Sequence, residues 1–138
     1  MDMYNAYAKT EVSAMDQLGL EARALIKTAS VLNDIKEHWK DKQADLPTAL
    51  DKNRLLWTVI AGDMREENSP QPLEIKNNIL NLALFIFKRT LNVLSEPTPE
   101  KLDILITINM NIAKGLSENK SEPSMPATEA KPKPIEPL

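Results

Sequence analysis

Residues 18–39, LGLEARALIKTASVLNDIKEHW, decide the fold class. Leu18, Ala22, Leu25, Ala29, Leu32 and Trp39 recur at steps of three, four or seven, and Ile35 joins their stripe. Arg23, Lys27, Asn33 and Lys36 fill the rest. A period near 3.6 with one apolar stripe predicts an amphipathic helix packed on a core. Asp16 stands where its carboxylate can accept from the first free backbone N–H groups, and Gly19 is the alternative start. Upstream, Met3 to Glu11 is weakly amphipathic, with Tyr4, Tyr7 and Ala8 on one side, and reads as a short helix or an ordered arm.

The same period returns three more times toward the C-terminus. After a polar connector, Lys40 to Asp45, Pro47 suits a first helical turn because its missing N–H has no partner to lose there. Leu50, Trp57, Ile60 and Met64 then share a face as far as about Met64, flanked by Leu56. Pro70 and Pro72 open the next segment, with Glu74 at the positive end of its dipole. Ile75, Ile79, Leu82, Ile86 and Val93 line one face; Leu80, Leu84, Phe87, Leu91 and Leu94 widen it until the helix is apolar nearly all round. Such a helix is expected at the centre of a bundle. Thr98-Pro99-Glu100 reads as a cap, a first position and an acidic first turn for a last helix carrying Leu102, Leu105, Ile108, Ile112 and Leu116. Gly115-Leu116 reads as its stop.

Composition agrees with a helical chain. Its 138 residues suit one domain, and 42% hydrophobic content is enough for a core. Three glycines are too few for a fold built on tight turns, and the scarce aromatics leave Leu, Ile, Val, Ala and Met to fill the interior. Ser117 to Leu138 holds half of the ten prolines and no apolar periodicity. The expectation is an all-α protein: a compact bundle of four to five helices over residues 1–116, followed by a disordered Pro/Glu/Lys-rich tail over 117–138.

Several chemistries lack their materials. With no cysteine and only His38, no Cys-based zinc site, histidine pair or thiolate nucleophile is available. His38, near a helix end, reads as a capping or surface residue. There is no glycine-rich phosphate loop and no nucleophile elbow, and Asp41, Asp45, Glu66 and Glu67 read as solvated loop charges. A catalytic site, a metal site and a cofactor are therefore not expected. The net charge of −3 argues against nucleic acid and anionic membranes as partners. The most apolar run, Ile79 to Phe87, is too short to span a bilayer, and Met1 to Lys9 lacks the pattern of a secretory leader. The lack of cysteine fits a reducing cytoplasm.

Three stretches then carry a family resemblance. Ala49-Leu50-Asp51-Lys52-Asn53-Arg54-Leu55-Leu56-Trp57, with Asp63 six residues on, resembles the A-L-x-x-N-R-x-L-W signature of FlaF proteins. Leu105-Ile106-Thr107-Ile108-Asn109-Met110-Asn111-Ile112-Ala113-Lys114-Gly115-Leu116 is similar to the family's closing segment, and Glu21-Ala22-Arg23-Ala24-Leu25 to its first long helix. The resemblance extends through Pro72-Leu73-Glu74-Ile75-Lys76, where the family usually has Arg at the Lys76 position, and covers about Ala6 to Leu116. It implies a cytoplasmic flagellar biosynthesis regulator that binds flagellin before export, in the manner of a chaperone, promotes its synthesis, and is functionally linked to FlbT, an opposing regulator acting on flagellin messenger RNA. The rival readings are a translational regulator that contacts that RNA directly and a small enzyme.

Asn53, Arg54, Leu56, Trp57, Asp63 and Asn109 are the candidate partner-binding residues. Trp57 lies on the apolar stripe, so it is either a core residue or an interface anchor. Asn53 and Arg54 either reach a partner or tie the bundle together through Asp63. Asn109 falls on the apolar face of the last helix, where an amide is costly unless paired. Either it fixes helix register internally or it is paired only when flagellin's terminal helices bind.

Overall fold

The first helix is longer than its stripe implies. In the computed structural model, which describes residues 3–67, 69 and 71–121 and side chains from Gln17 to Glu118, α1 runs without a break over Met3–Glu37. Asp16 and Gly19 therefore lie inside a helix, not at its start. A single interior glycine costs about 1 kcal/mol against alanine, too little to end a helix whose next turns bury Ala22, Leu25, Ala29 and Leu32. The N-terminal arm is the beginning of α1.

The break falls at His38, whose backbone leaves the helical region at φ −120° and ψ 47°. A short α2 (Trp39–Lys42) and a 3-10 turn (Gln43–Asp45) reverse the chain. The His38 ring is exposed beside Asp34, and Lys42 pairs with the same carboxylate. These charges hold the Asp34 carboxyl below its ordinary value, Lys42 first among them. The expected surface role of His38 matches its position.

α3 (Leu46–Arg65) carries Pro47 in its first turn, as its spacing requires. It turns Leu46, Ala49, Leu50, Asn53, Trp57, Ile60, Ala61 and Met64 inward. α4 (Leu73–Ser95) begins directly after Pro72, whose extended backbone (ψ 152°) cannot continue from a helix. α5 (Leu102–Ser121) follows a 3-10 turn, Pro99–Lys101. Thr98 makes no side-chain cap there; the Lys101 N–H bonds the Thr98 carbonyl instead, at 3.3 Å. Gly115 does not stop α5, because Leu116 is 3% exposed and the helix continues past it to keep that leucine in the core. The expected disordered tail lies, from residue 122 on, outside the described residues.

All described elements are helical, and the bundle is all-α as the periodicity predicts. α1 packs chiefly on α5, α3 on α4, and α1 also on α3, while α4 and α5 touch only sparsely. α1 thus lies between α5 and α3, and α4 packs on the far side of α3. α4, expected at the centre, sits at the periphery. Its Ile79, Ala83, Ile86 and Val93 reach the core, but Leu84 and Leu91 are 58% and 68% exposed. An all-round apolar sequence shows that every face is fit for burial, not that this chain supplies a neighbour for each.

Candidate functional site

The described bundle offers two polar clusters, an apolar groove between α4 and α5, and a smaller cleft of about 300 Å³ where Pro47 and Arg54 of α3 meet Phe87 and Leu91 of α4. The first cluster lies at its centre. The Trp57 Nε1–H donates to Asn109 Oδ1 at 2.8 Å, and the Asn109 amide donates to Asn53 Oδ1 at 2.8 Å and to the Leu25 carbonyl at 3.4 Å. Trp57, Asn53 and Asn109 are all 0% exposed. Helical spacing explains the convergence. Asn53 and Trp57 are four apart on the inward stripe of α3, and Asn109 lies on that of α5 between Leu105 and Leu116. One side chain of α5 thereby ties α3 to the backbone of α1. Asn53 Nδ2 is the single buried side-chain polar atom, among the described residues, without a partner.

The second cluster joins α1 and α3 at Glu21, which is 3% exposed. The Gln17 amide donates to Glu21 Oε2 at 3.1 Å, and the Asp63 carboxylate neighbours Glu21. Burial and the neighbouring Asp63 carboxylate push the Glu21 carboxyl up to about 7. A neutral Glu21 donates to Asp63; an ionised one faces a like charge. This arrangement can hold a proton, and no group of three acidic, histidine or cysteine side chains suited to a metal occurs among the described residues.

Of the six residues singled out in the sequence, three are therefore assembled into one buried network: Asn53, Trp57 and Asn109. In this packing none of them presents a surface to a partner. Asp63 turns toward Glu21, not toward Asn53 or Arg54. Arg54 is exposed and pairs with Asp51 at 2.8 Å. Leu56 is half-buried against the core.

The open feature lies elsewhere, where α4 and α5 diverge. A groove of about 800 Å³ runs between them, walled by Ile75, Ile79, Leu82 and Phe85 of α4 and by Ile112 and Leu116 of α5. Its lining is mostly aliphatic, with Asn78, Asn81 and Glu118 at the edges. Ile75 and Phe85 stand 37% and 38% exposed on its rim, and Arg89 lies over the Phe85 ring at 5.5 Å. Sequence reasoning assigned Ile75, Ile79 and Leu82 to a core face. The face was right, but periodicity cannot tell a face that meets a neighbour from one that overhangs a gap.

The described residues thus form a helical bundle with an internal polar network and an open apolar groove between α4 and α5. The chain belongs to the FlaF family: the family model described as flagellar protein FlaF matches residues 3–116, nearly the whole described bundle. No curated protein and no solved structure matches it. No described helix is long and apolar enough to cross a membrane.

Proposed function

We propose that this flagellar protein acts by binding rather than by catalysis, as a cytoplasmic, chaperone-like factor whose α4/α5 groove receives a terminal helix of flagellin. The groove is the observation that carries the reading. Flagellin ends are amphipathic helices that polymerise through their apolar faces, and a cell that makes flagellin before exporting it must keep those faces covered. An amphipathic helix laid in a groove is anchored by apolar side chains at i, i+3, i+4 and i+7. The groove wall from Ile75 to Phe85 spans about 15 Å at 1.5 Å per residue, which accommodates three such anchors. Because α4 and α5 make few contacts, widening the gap breaks little existing packing.

The buried lock has a positioning role in this reading. Asn109 holds α5 to α1 and α3, and so fixes the wall that carries Ile112 and Leu116. Promotion of flagellin synthesis, and the functional link to FlbT, follow in this account from removal of free flagellin by binding. Direct contact with flagellin messenger RNA gains nothing from the groove, whose lining is apolar.

The test is calorimetric titration of flagellin monomer, with and without its terminal helices, into this protein. Saturable binding that disappears with the helices supports the reading. Equal binding of both forms, or none of either, overturns it.

A further inference from the structure

α4 carries a second apolar face on the flank away from the groove. Leu80, Leu84, Phe87, Leu91 and Leu94 follow one another at alternating steps of four and three, and Leu73 and Asn77 continue the steps toward the N-terminus. This is a period of 3.5 sustained for three heptads, the spacing of a coiled-coil seam rather than of a helix lying on a mixed core. Its members are open to solvent: Leu73 is 72% exposed, Leu84 58%, Leu91 68% and Leu94 47%, with Leu80 and Phe87 half-buried at the base. Single exposed leucines are ordinary on a protein surface; a continuous row of them marks an interaction surface.

We propose that this seam is a self-association surface on which two copies of the chain pair their α4 helices antiparallel, across a two-fold axis near Asn81. The flanking charges point to a second copy as the occupant. Glu74 and Lys88 lie on the same edge of the seam, both exposed, and neither has an ion-pair partner among the described residues. Asn81 stands midway between them. Antiparallel pairing about Asn81 brings each Glu74 opposite Lys88 of the partner subunit, and the symmetry makes the pair twice. The same register sets Leu80 against Leu84 of the partner subunit and Leu73 against Leu91 of the partner subunit, so the seam is self-complementary in shape and charge together. A parallel pair brings neither charge to its opposite. Ile79 and Phe85, which wall the groove, lie on the other flank of α4, so self-association leaves its apolar walls in place and meets the groove only at its edge, at Asn81.

Sedimentation equilibrium of the full chain, from micromolar to submillimolar concentration, tests this. The native protein is expected to rise from 15.5 kDa toward twice that mass. Leu84→Glu combined with Leu91→Glu is expected to remain monomeric throughout, with an unchanged far-UV spectrum because both side chains are mostly solvent-exposed already. Glu74→Lys is expected to weaken the dimer several-fold, and Glu74→Lys with Lys88→Glu to restore it. A native protein that stays at 15.5 kDa overturns the proposal. So does a leucine double variant that dimerises as tightly as the native chain. A Glu74→Lys variant with native affinity, or a charge-swapped double variant that fails to recover, overturns the antiparallel register.

Discussion

Replacing Asn109 by alanine removes one side chain and disconnects three helices. The native amide accepts from Trp57 Nε1 and donates to Asn53 Oδ1, both at 2.8 Å, in a site with no solvent access. The variant leaves the indole N–H without an acceptor and the Asn53 carbonyl without a donor. Each buried group so orphaned costs about 1–3 kcal/mol. A small void where the side chain stood adds to that, and relief of the amide's own burial offsets part. The expected loss is about 3–5 kcal/mol, a large share of the roughly 5–15 kcal/mol that holds a domain folded. Urea unfolding followed by far-UV circular dichroism measures it, and indole emission reports independently on the Trp57 site. A double-mutant cycle with Asn53→Ala isolates the contact, with an expected coupling of roughly 1–3 kcal/mol. A loss under about 1 kcal/mol, the range of an ordinary substitution, refutes the view that this amide is the internal lock of the bundle.

Other outcomes follow from the same geometry. Asn53→Ala is expected to cost clearly less than Asn109→Ala, because it also removes Asn53 Nδ2, a buried donor with no partner; equal urea midpoints would contradict this. Trp57→Phe keeps most of the ring volume but withdraws the donor to Asn109 Oδ1, for an expected loss of about 2–3 kcal/mol in the same assay. Glu21 gives the protein a pH dependence of known sign. Its carboxyl rises from 4.5 to about 7 on folding, so the native state holds a proton the unfolded chain releases. Its contribution is greatest below the unfolded value, falls as pH climbs between the two, and is flat above the folded value. At 1.36 kcal/mol per pKa unit the drop is roughly 3 kcal/mol. Glu21→Gln keeps a donor toward Asp63 and abolishes the drop, so the variant should match the native protein in acid and exceed it in mild alkali. Parallel stability curves for the two chains would exclude this origin. Asp103→Asn breaks the ion pair to Lys36, which spans α1 and α5 at 2.7 Å, but both groups are solvated and the thermal midpoint should hardly move.

The helices were legible because their apolar residues keep period; Pro47 and Pro72 mark helix starts within a residue, and Pro99 opens the 3-10 turn that leads into α5. Asn109 was legible as an amide on an apolar face, though not the identity of its partners. Those depend on the register of α5 against α1 and α3, which no local spacing encodes. Glu21 and Asp63 meet for the same reason, and neither carboxylate looks unusual within its own helix. α4 misled in an informative way. Hydrophobic content on every side reads as a buried position, yet the chain covers only one flank fully. The others face the groove and the open seam, so α4 carries more apolar residues than the chain has neighbours to cover. Gly115 and Asp16 misled more simply, since a stop or cap signal yields to packing when the next turn carries a core residue such as Leu116 or Ala22.

The most direct measurement of the central claim is the affinity of flagellin monomer for a groove variant, Ile75→Glu with Phe85→Glu. Both side chains are more than a third exposed, so the substitutions charge the groove rim while the core stays intact. Calorimetry should give saturable binding to the native protein and binding at least about tenfold weaker, a loss of about 1.4 kcal/mol, to the variant, with unfolding midpoints alike. Native affinity in a folded variant would contradict the assignment of the α4/α5 groove as the site where flagellin is held.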